Sequence, residues 1–277
     1  MGYAMGRALA TTKGTFAMHR FLDYLFKEWF RQVGEALLLA FLVTTFLFTT
    51  VGVVGSSMNP TLLNGERVFV PKYETWLVRF GLMQWRRGEI AIVKPPEGTP
   101  NAVAQFPVLG FQFRAFFIKR IVGLPGDEVS LREGVVYLNG KPLNEVHITA
   151  SLSPYPDSYP VVCYQNERLT ALITQQQVRF APEQLPEYLK PTLQMLAPPS
   201  PQDLAKSRAG EHCFTGSLKL KPGYYFVMGD NRTFGGSEDS RTFGPVPTEA
   251  IAGRANAVWW PLNRIRGLDI PEGFKGL

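Results

Sequence analysis

The amino-acid sequence predicts a mainly β protein with one transmembrane helix near its N-terminus and an inserted subdomain in its second half. Three observations lead to this prediction. Short apolar or alternating runs recur between prolines and glycines, one long run near the N-terminus carries no charge, and the composition later turns proline-rich and polar. With 277 residues, 45% of them hydrophobic, the chain can build a substantial core.

The strand-like runs all follow the uncharged segment. One of them predicts two strands around Glu133–Gly134, followed by an Asn139–Gly140 turn that suits type I′ geometry. No long repeat and no βαβ alternation is visible, which argues against solenoids and doubly wound folds. The runs are "RVFVPKY", "GEIAIVKPP", "RAFFIKRIVGLPGD", "EVSLREGVVYLNGKPL", "YYFVMGDN" and "ANAVWWPL".

The uncharged run extends from Ala36 to Val54 and predicts a transmembrane helix. At about 1.5 Å per residue it is nearly long enough to cross a hydrocarbon core of about 30 Å. Its threonine hydroxyls can bond back to carbonyls one turn earlier. A buried core helix would show a polar face, and a cleaved signal peptide would start closer to the N-terminus and end at a small-residue site. We therefore expect an uncleaved anchor over residues 33–54.

The charges before the anchor predict its orientation. Five Lys and Arg residues precede it against three acidic residues (Arg7, Lys13, Arg20, Lys27 and Arg31 against Asp23, Glu28 and Glu35). Because Lys and Arg favour the inner side of a membrane, residues 1–32 are predicted to be cytoplasmic and residues 55–277 to form an extracytoplasmic domain. Within that domain, residues 143–216 are proline-rich and polar, which predicts an inserted subdomain because so long a structureless loop is rare.

Charge and cysteines exclude some functions. The net charge of +6 is spread along the chain, so no basic patch indicates a nucleic-acid partner. Cys163 and Cys213 have no metal-ligand spacing; they can pair in an oxidising compartment or remain two buried thiols.

Common hydrolase signatures are absent: there is no G-x-S-x-G, S-x-x-K, H-E-x-x-H or P-loop motif. His19 falls on the predicted cytoplasmic side, while His147 and His212 lie in or beside the irregular segment, so a Ser-His-Asp triad is not expected. If Ser56 or Ser57 is a nucleophile, its base must be another residue.

Lys119 is a candidate for that base. In a strand, Lys119 and Arg120 point to opposite faces, and one of them shares its face with apolar neighbours. An arginine stays protonated, whereas a buried lysine whose pKa falls by about two to three units can take a proton from a serine. The alternative is that both cations reach solvent from an edge strand.

A third segment, "MGDNRTFGGSEDSRTFGPVP", predicts a tight polar loop after the "YYFV" strand. Asp239 and Arg241 can pair in it, and either Ser237 or Ser240 can orient a lysine. The alternative is an ordinary solvated turn, and the acid spacing does not match a calcium-binding EF-hand loop.

Four ordered motifs after a single N-terminal span resemble the bacterial type I signal peptidases. The motifs are "SMNPTL", "RGEIAIVK", "KRIVGLPGD" and "GDNR…SEDSRTFG", and the similarity runs from about residue 35 to residue 261 with the insertion unmatched. The resemblance implies a β fold of two antiparallel sheets and a membrane-anchored serine endopeptidase with no metal or cofactor. Its substrates would be exported preproteins and its location the bacterial cytoplasmic membrane. The lipid bilayer and the secretion translocon are further implied partners.

The resemblance also implies roles for individual residues. Ser57 matches the nucleophile, Lys119 the general base, Ser237 the serine that orients this lysine, and Asp239 and Arg241 a structural pair. The same loop motif contributes Gly229, Asp230 and Asn231. The side chains implied to line shallow pockets for the small residues before the cut are Val53, Met58, Leu62, Phe117 and Ile118.

Two departures from the family pattern concern the site. Some members carry a serine two residues before the nucleophile that helps bind the oxyanion, and here that residue is Gly55. The loop around Ser237 is also two residues longer than in some relatives. Two alternative functions remain open: a specialised processing peptidase for pilin or conjugation substrates, and a non-catalytic single-pass membrane binding protein.

Overall fold

The computed structural model describes residues 10–105, 112–149, 157–175 and 177–276. The chain divides into two compact units, Met1–Phe48 and Thr49–Leu277. In the described residues the first unit is helical and the second is mainly β, so the predicted fold class, mainly β with an N-terminal apolar helix, is confirmed.

The N-terminal helix α1 spans Ala10–Leu42 and continues into a π-helical turn, Val43–Leu47. Its segment Phe26–Leu47 is long and apolar enough to cross a membrane, judged by length and composition. The Thr44 hydroxyl donates to the carbonyl of Ala40 at 2.8 Å, which is the back-bonding expected of a threonine in an apolar helix.

The helical part of the predicted anchor ends earlier than expected. The sequence predicted a helix through Val54, but the helical conformation stops at Leu47 and Phe48–Gly52 is a strand. Three consecutive β-branched residues, Thr49, Thr50 and Val51, favour an extended backbone, and the strand is paired within a four-stranded sheet.

The described part of the second unit contains most of the regular elements. Its helices are short: α2 (Lys72–Arg79), α3 (Val146–Thr149), α4 (Lys190–Met195), α5 (Pro201–Ser207) and α6 (Ser240–Phe243). The strands are β1 (Phe48–Gly52), β2 (Arg67–Pro71), β3 (Ile90–Val93), β4 (Val103–Gln105), β5 (Gln112–Arg114), β6 (Phe117–Gly123), β7 (Glu128–Arg132), β8 (Val135–Leu138), β9 (Lys141–Pro142), β10 (Val161–Gln165), β11 (Arg168–Ile173), β12 (Arg179–Phe180), β13 (His212–Thr215), β14 (Leu218–Lys219), β15 (Tyr224–Met228), β16 (Val246–Pro247), β17 (Ile251–Arg254), β18 (Ala257–Trp260) and β19 (Arg266–Gly267).

These strands form five hydrogen-bonded sheets in the described residues, where the resemblance implied two. Their orders are β1-β2-β18-β19, β12-β11-β10-β13, β14-β7-β8-β9, β16-β15-β6-β3-β17 and β4-β5. The pairings β3–β6, β6–β15 and β7–β8 are antiparallel, and β7–β8 is the predicted pair of strands around Glu133–Gly134. The predicted Asn139–Gly140 turn joins β8 to β9 with positive φ at both residues (51° and 79°), as a type I′ turn requires.

The five-stranded sheet carries Lys119 and Arg120 on β6, and its strands β3 and β6 are buried. All four residues of β3 and all but the first of β6 are buried. Apolar clusters therefore pack against both sides of β6, one around Ile118 and the other around Ile121. Polar side chains on β6 are thereby removed from water, which sets the chemistry of the site.

The predicted insertion contains a sheet of its own. All four strands of the β12-β11-β10-β13 sheet lie within residues 143–216. A disulfide joins Cys163 on β10 to Cys213 on β13, where the two residues face each other across the ladder. A buried cluster that includes Val162, Leu172 and Leu189 packs on this sheet. The limits of the insertion as a subdomain stay a prediction.

Candidate active site

The segment with the two serines is a compact turn between β1 and β2. The Asn59 N–H donates to the Ser56 carbonyl at 3.0 Å, and the Leu62 N–H donates to the Met58 carbonyl at 2.8 Å. Met58 and Leu62 are buried and anchor the turn, whereas Ser57 is half-buried and Ser56 is exposed. The backbone thus holds Ser57 at the edge of the core with its side chain still partly accessible.

Lys119 lies on β6, the middle strand of the five-stranded sheet, opposite Ala91 of β3. Its side chain is 3% exposed, and its Nζ lies 5.4 Å from the centroid of the Phe117 ring. The alternative, a lysine that reaches solvent from an edge strand, is therefore wrong. Burial lowers the pKa of Lys119 from 10.5 to about 8; Asp239 partly opposes this shift and Arg241 adds to it.

Arg120 is also buried, but it is fixed by a carboxylate. Its Nε donates to Oδ1 of Asp230 at 2.8 Å and its Nη2 donates to Oδ2 at 2.5 Å. The Thr61 hydroxyl donates to the same Oδ2 at 2.5 Å. Burial raises the pKa of Asp230, but the Arg120 guanidinium outweighs that effect and holds this pKa well below its usual range. These contacts join three of the predicted motifs, because Thr61 belongs to the turn that contains Ser57.

The segment after β15, residues 229–241, ends in the first two residues of α6; because it holds predicted site residues, it is called the catalytic loop below. Within it, Arg241 donates to both oxygens of Asp239 at 2.9 and 2.7 Å, as the sequence predicted for this pair. Asp239 also accepts from the Gly229 N–H at 2.9 Å. Burial raises the pKa of Asp239, but Arg241 outweighs it and lowers this pKa to about 2. The two ends of the loop therefore form a buried charge network, while its tip at Phe234 is exposed.

Gly229 brings the loop against the turn that contains Ser57. A Cβ at this position would lie 2.2 Å from the Ser237 hydroxyl oxygen and 2.4 Å from the Ser57 carbonyl oxygen, so only glycine allows this approach. The Asn231 N–H donates to the same Ser57 carbonyl at 3.0 Å, and the Asn231 side chain donates to the Ser56 carbonyl at 3.1 Å. The structure thus brings together Ser57, Gly229, Asn231 and Ser237.

The structure distinguishes the two serines of the catalytic loop. The Ser240 hydroxyl accepts from the Val227 N–H at 2.9 Å, so it is used within the fold. Ser237 is 4% exposed, and its hydroxyl has no hydrogen-bond partner among the residues that the structure describes. A buried hydroxyl without a partner is costly, which makes Ser237 the one available to a further group in the site.

The residues implied to line substrate pockets lie in two places. Val53, Met58, Leu62 and Ile118 share one buried apolar cluster. Phe117 packs in another, with its ring centroid 6.2 Å from that of Phe243. Their contact with substrate stays a prediction.

Gly55 has a backbone conformation that explains its residue type. Its φ is +90°, in the left-handed region, and its N–H donates to the Asn64 side chain at 3.0 Å. A Cβ would meet nothing within 4 Å, so conformational strain and not crowding disfavours a serine at this position.

Sequence reasoning missed two acidic residues and one histidine of the site. Glu145 pairs with Arg232 and Asp157 pairs with Arg241, although both carboxylates belong to the predicted insertion. His147, which the sequence placed in or beside the irregular segment, lies with Nε2 3.5 Å from Asp230 Oδ1. No spacing or periodicity in the proline-rich segment indicated these contacts. Over the described ranges, no group of three or more His, Cys, Asp or Glu side chains is arranged to hold a metal ion.

Comparison with known proteins agrees with these motifs. The family described as "Signal peptidase, peptidase S26" matches residues 26–260. Signal peptidase I of Bacillus licheniformis is 29% identical over 243 residues, 87% of this chain and 92% of the relative. Signal peptidase IB of Staphylococcus aureus strain COL is 24% identical over 248 residues, 90% of this chain and 96% of the relative.

A solved structure is also similar. The crystal structure of a signal peptidase I from Enterococcus faecalis V583 is 22% identical and covers 63% of this chain and 98% of that chain, with a TM-score of 0.32. At this score the fold assignment rests on the sheets described above. Because the family match extends over most of its length, the chain belongs to the signal peptidases of the S26 family, which are serine endopeptidases.

Proposed function

We propose that this chain removes N-terminal signal peptides from exported preproteins, with Ser57 as nucleophile and Lys119 as general base. The observation that carries the proposal is the burial of Lys119, which lowers its pKa to about 8 in the network that contacts the Ser57 turn. At neutral to mildly alkaline pH, part of the population then holds an uncharged amine that can accept a proton.

The reaction is acyl transfer. Lys119 Nζ takes the proton of the Ser57 hydroxyl as the oxygen attacks the scissile carbonyl carbon, and the resulting ammonium gives that proton to the departing amine. The peptide bond breaks and an ester to Ser57 forms. A water that loses a proton to Lys119 then attacks the ester carbonyl, the bond to Ser57 breaks and releases the peptide with a new carboxyl group, and Lys119 returns the proton to the Ser57 oxygen.

Other residues of the network support this chemistry. The Ser237 hydroxyl is available to orient the Lys119 amine, and Asp239 and Arg241 set the charge around it. The Ser57 N–H would bind the oxyanion together with one further donor, since the glycine at position 55 has no hydroxyl to offer. The Asn231 N–H binds the carbonyl of Ser57 and so orients its peptide, and Gly229 lacks the Cβ that would crowd this carbonyl.

Anchoring in the membrane is part of the proposal. Residues 26–47 would span the bilayer with the N-terminus in the cytoplasm, as the positive charges before them favour. Leu47 and Ser57 are only ten positions apart, a stretch that reaches at most about 35 Å. The nucleophile would therefore stay near the surface where a preprotein exposes its cleavage site.

A preprotein cleavage assay tests the proposal. The wild-type chain in detergent should cut a preprotein after a small-x-small sequence, which mass spectrometry of the new N-terminus identifies, and Ser57→Ala should abolish the cut. Ser56→Ala is the matched control and should retain activity. Full activity of the Ser57→Ala variant, or a cut elsewhere in the preprotein, would contradict the proposal.

A further inference from the structure

Two carboxylates of the predicted insertion reach the catalytic loop. Glu145 and Asp157 are each 8% exposed. Glu145 binds Arg232 of the loop, and Asp157 binds Arg241. Both arginines are also buried: Arg232 is 4% exposed and Arg241 is fully buried. Because isolated buried charges are very costly, each carboxylate determines where its arginine can lie.

Glu145 acts on the loop through Arg232. Arg232 donates to both carboxylate oxygens of Glu145, at 2.8 and 2.5 Å, and its Nε donates to the Gly229 carbonyl at 2.8 Å. Gly229 in turn approaches the Ser57 carbonyl so closely that a Cβ would lie 2.4 Å from it. A displacement of Arg232 therefore transmits to the peptide of the nucleophile through one intermediate residue.

Asp157 acts on the other end of the loop. Arg241 uses Nη1 to donate to Asp157 at 3.0 Å and its other two donors to bind Asp239. Asp239 is one of the charges that shift the pKa of Lys119. Asp157 thus completes a three-member network in which the guanidinium lies between two carboxylates.

We propose that Glu145 and Asp157 are positioning residues for the peptidase reaction. They hold the two arginines of the catalytic loop, and these arginines keep Gly229 and Asp239 in place beside Ser57 and Lys119. The inference rests on the proposed function, since it concerns the rate of that reaction. It assigns the insertion a task at the site in addition to its own folded sheet.

The two carboxylates should affect the pH profile differently. The charges that shift the pKa of Lys119 are those of Asp239, Arg241, Glu238 and Asp230. Loss of the Asp157 charge leaves Arg241 less compensated, and a stronger positive field lowers the pKa of Lys119. Arg232 is not among those groups, so loss of the Glu145 charge should slow the reaction without moving the pH at which activity rises.

The test compares Asp157→Asn and Glu145→Gln with the wild-type full chain in detergent, using one preprotein substrate over a range of pH. We expect kcat to fall about 10- to 100-fold in both variants, as for a displacement of about 1 Å in a catalytic site, with KM within about threefold of wild type. The rise of activity with pH should move to lower pH only in Asp157→Asn. The matched control is Glu211→Gln, which removes a partly exposed insertion carboxylate paired with Arg179 and should behave as wild type.

The outcomes separate the two proposals. If the wild-type chain does not cut the preprotein, the proposed function fails. If it does, and both variants have wild-type kcat per folded molecule, the positioning role is overturned. Thermal unfolding gives the folded fraction. Should a variant not fold, Asp157→Glu and Glu145→Asp keep the charge and shift only the oxygens; reduced kcat in these folded variants supports the role, and unchanged kcat overturns it.

Discussion

Lys119 and Arg120 are adjacent cations on one strand, both buried, and they lie in opposite environments. Arg120 binds Asp230 through two hydrogen bonds and also donates to the Gly88 carbonyl at 2.6 Å. Lys119 lies beside an aromatic ring, and its carboxylate neighbours influence it through space, with burial as the largest effect on its pKa.

This difference separates structure from chemistry on the two faces of β6. A guanidinium stays charged and its planar donors match a carboxylate, so Arg120 holds the motifs together through a permanent ion pair. An amine can give up its proton when it is desolvated, so the Lys119 face can exchange protons. Both side chains are buried, so the difference between a fixed charge at Arg120 and a lowered pKa at Lys119 comes from the residue type and its partner.

The largest effect should come from exchanging one cation for the other. Lys119→Arg keeps the positive charge but removes the group that can be deprotonated, so preprotein cleavage should fall by about 1,000-fold or more. Lys119→Met should lose activity to a similar extent. A Lys119→Arg enzyme within tenfold of wild type would show that deprotonation of this residue is not needed.

The second prediction concerns the Arg120 face. Asp230→Asn leaves Arg120 buried without its counter-charge and should lower the free energy of unfolding by about 3–5 kcal/mol, measured by urea denaturation. Glu211→Gln, at an exposed ion pair, should leave the urea midpoint unchanged. If Asp230→Asn lowers the free energy of unfolding by less than about 1 kcal/mol, the Arg120–Asp230 pair contributes no more than a surface ion pair. The proposed difference between Arg120 and Lys119 would then be wrong.

The third prediction is a gain in stability when the buried charge on the Lys119 face is removed. The folded-state pKa of about 8 lies below the unfolded value of 10.5, so burying the charged lysine costs about 3 kcal/mol below pH 8, and this cost disappears as the pH rises to 10.5. Lys119→Met should therefore raise the free energy of unfolding by up to about 3 kcal/mol at pH 7.

The pH dependence distinguishes this effect from better packing. Between pH 8 and 10.5 the unfolded wild-type chain binds more protons at this residue than the folded chain, so wild-type stability should rise and the gain of the variant should shrink. The exposed Lys94, changed to Met, should show no such pattern. A gain that persists unchanged at pH 10.5 would mean that packing, not charge, is responsible.

The strands and the motifs were predictable because they are local. Alternating runs between prolines and glycines marked the strands, and the Asn139–Gly140 turn formed as its residue types require. The end of the N-terminal helix was not predictable in the same way. The run from Phe48 to Val54 is uncharged and compatible with either a helix or a strand. Its pairing in the β1-β2-β18-β19 sheet favours the extended backbone.

Contacts of the site were predictable where both residues belong to one motif. They were not predictable where one partner lies in a distant part of the sequence. The pairing of Asp239 with Arg241 needs only two positions in one loop. The choice between Ser237 and Ser240 depends on a hydrogen bond from β15 that spacing does not encode. Glu145 and Asp157 lie 87 and 84 residues from their arginines, in a segment without a periodic pattern.

The bond between Thr61 and Asp230 joins residues that are 169 positions apart in the chain. Contacts this distant in sequence are gained only after a long loop has closed, which costs conformational entropy. A chain that stopped before Asp230 would leave Arg120 on its strand with no carboxylate to meet it. The arrangement therefore makes the stability of this unit depend on its distal third, because the buried guanidinium of Arg120 gains its counter-charge, among the described residues, only from Asp230.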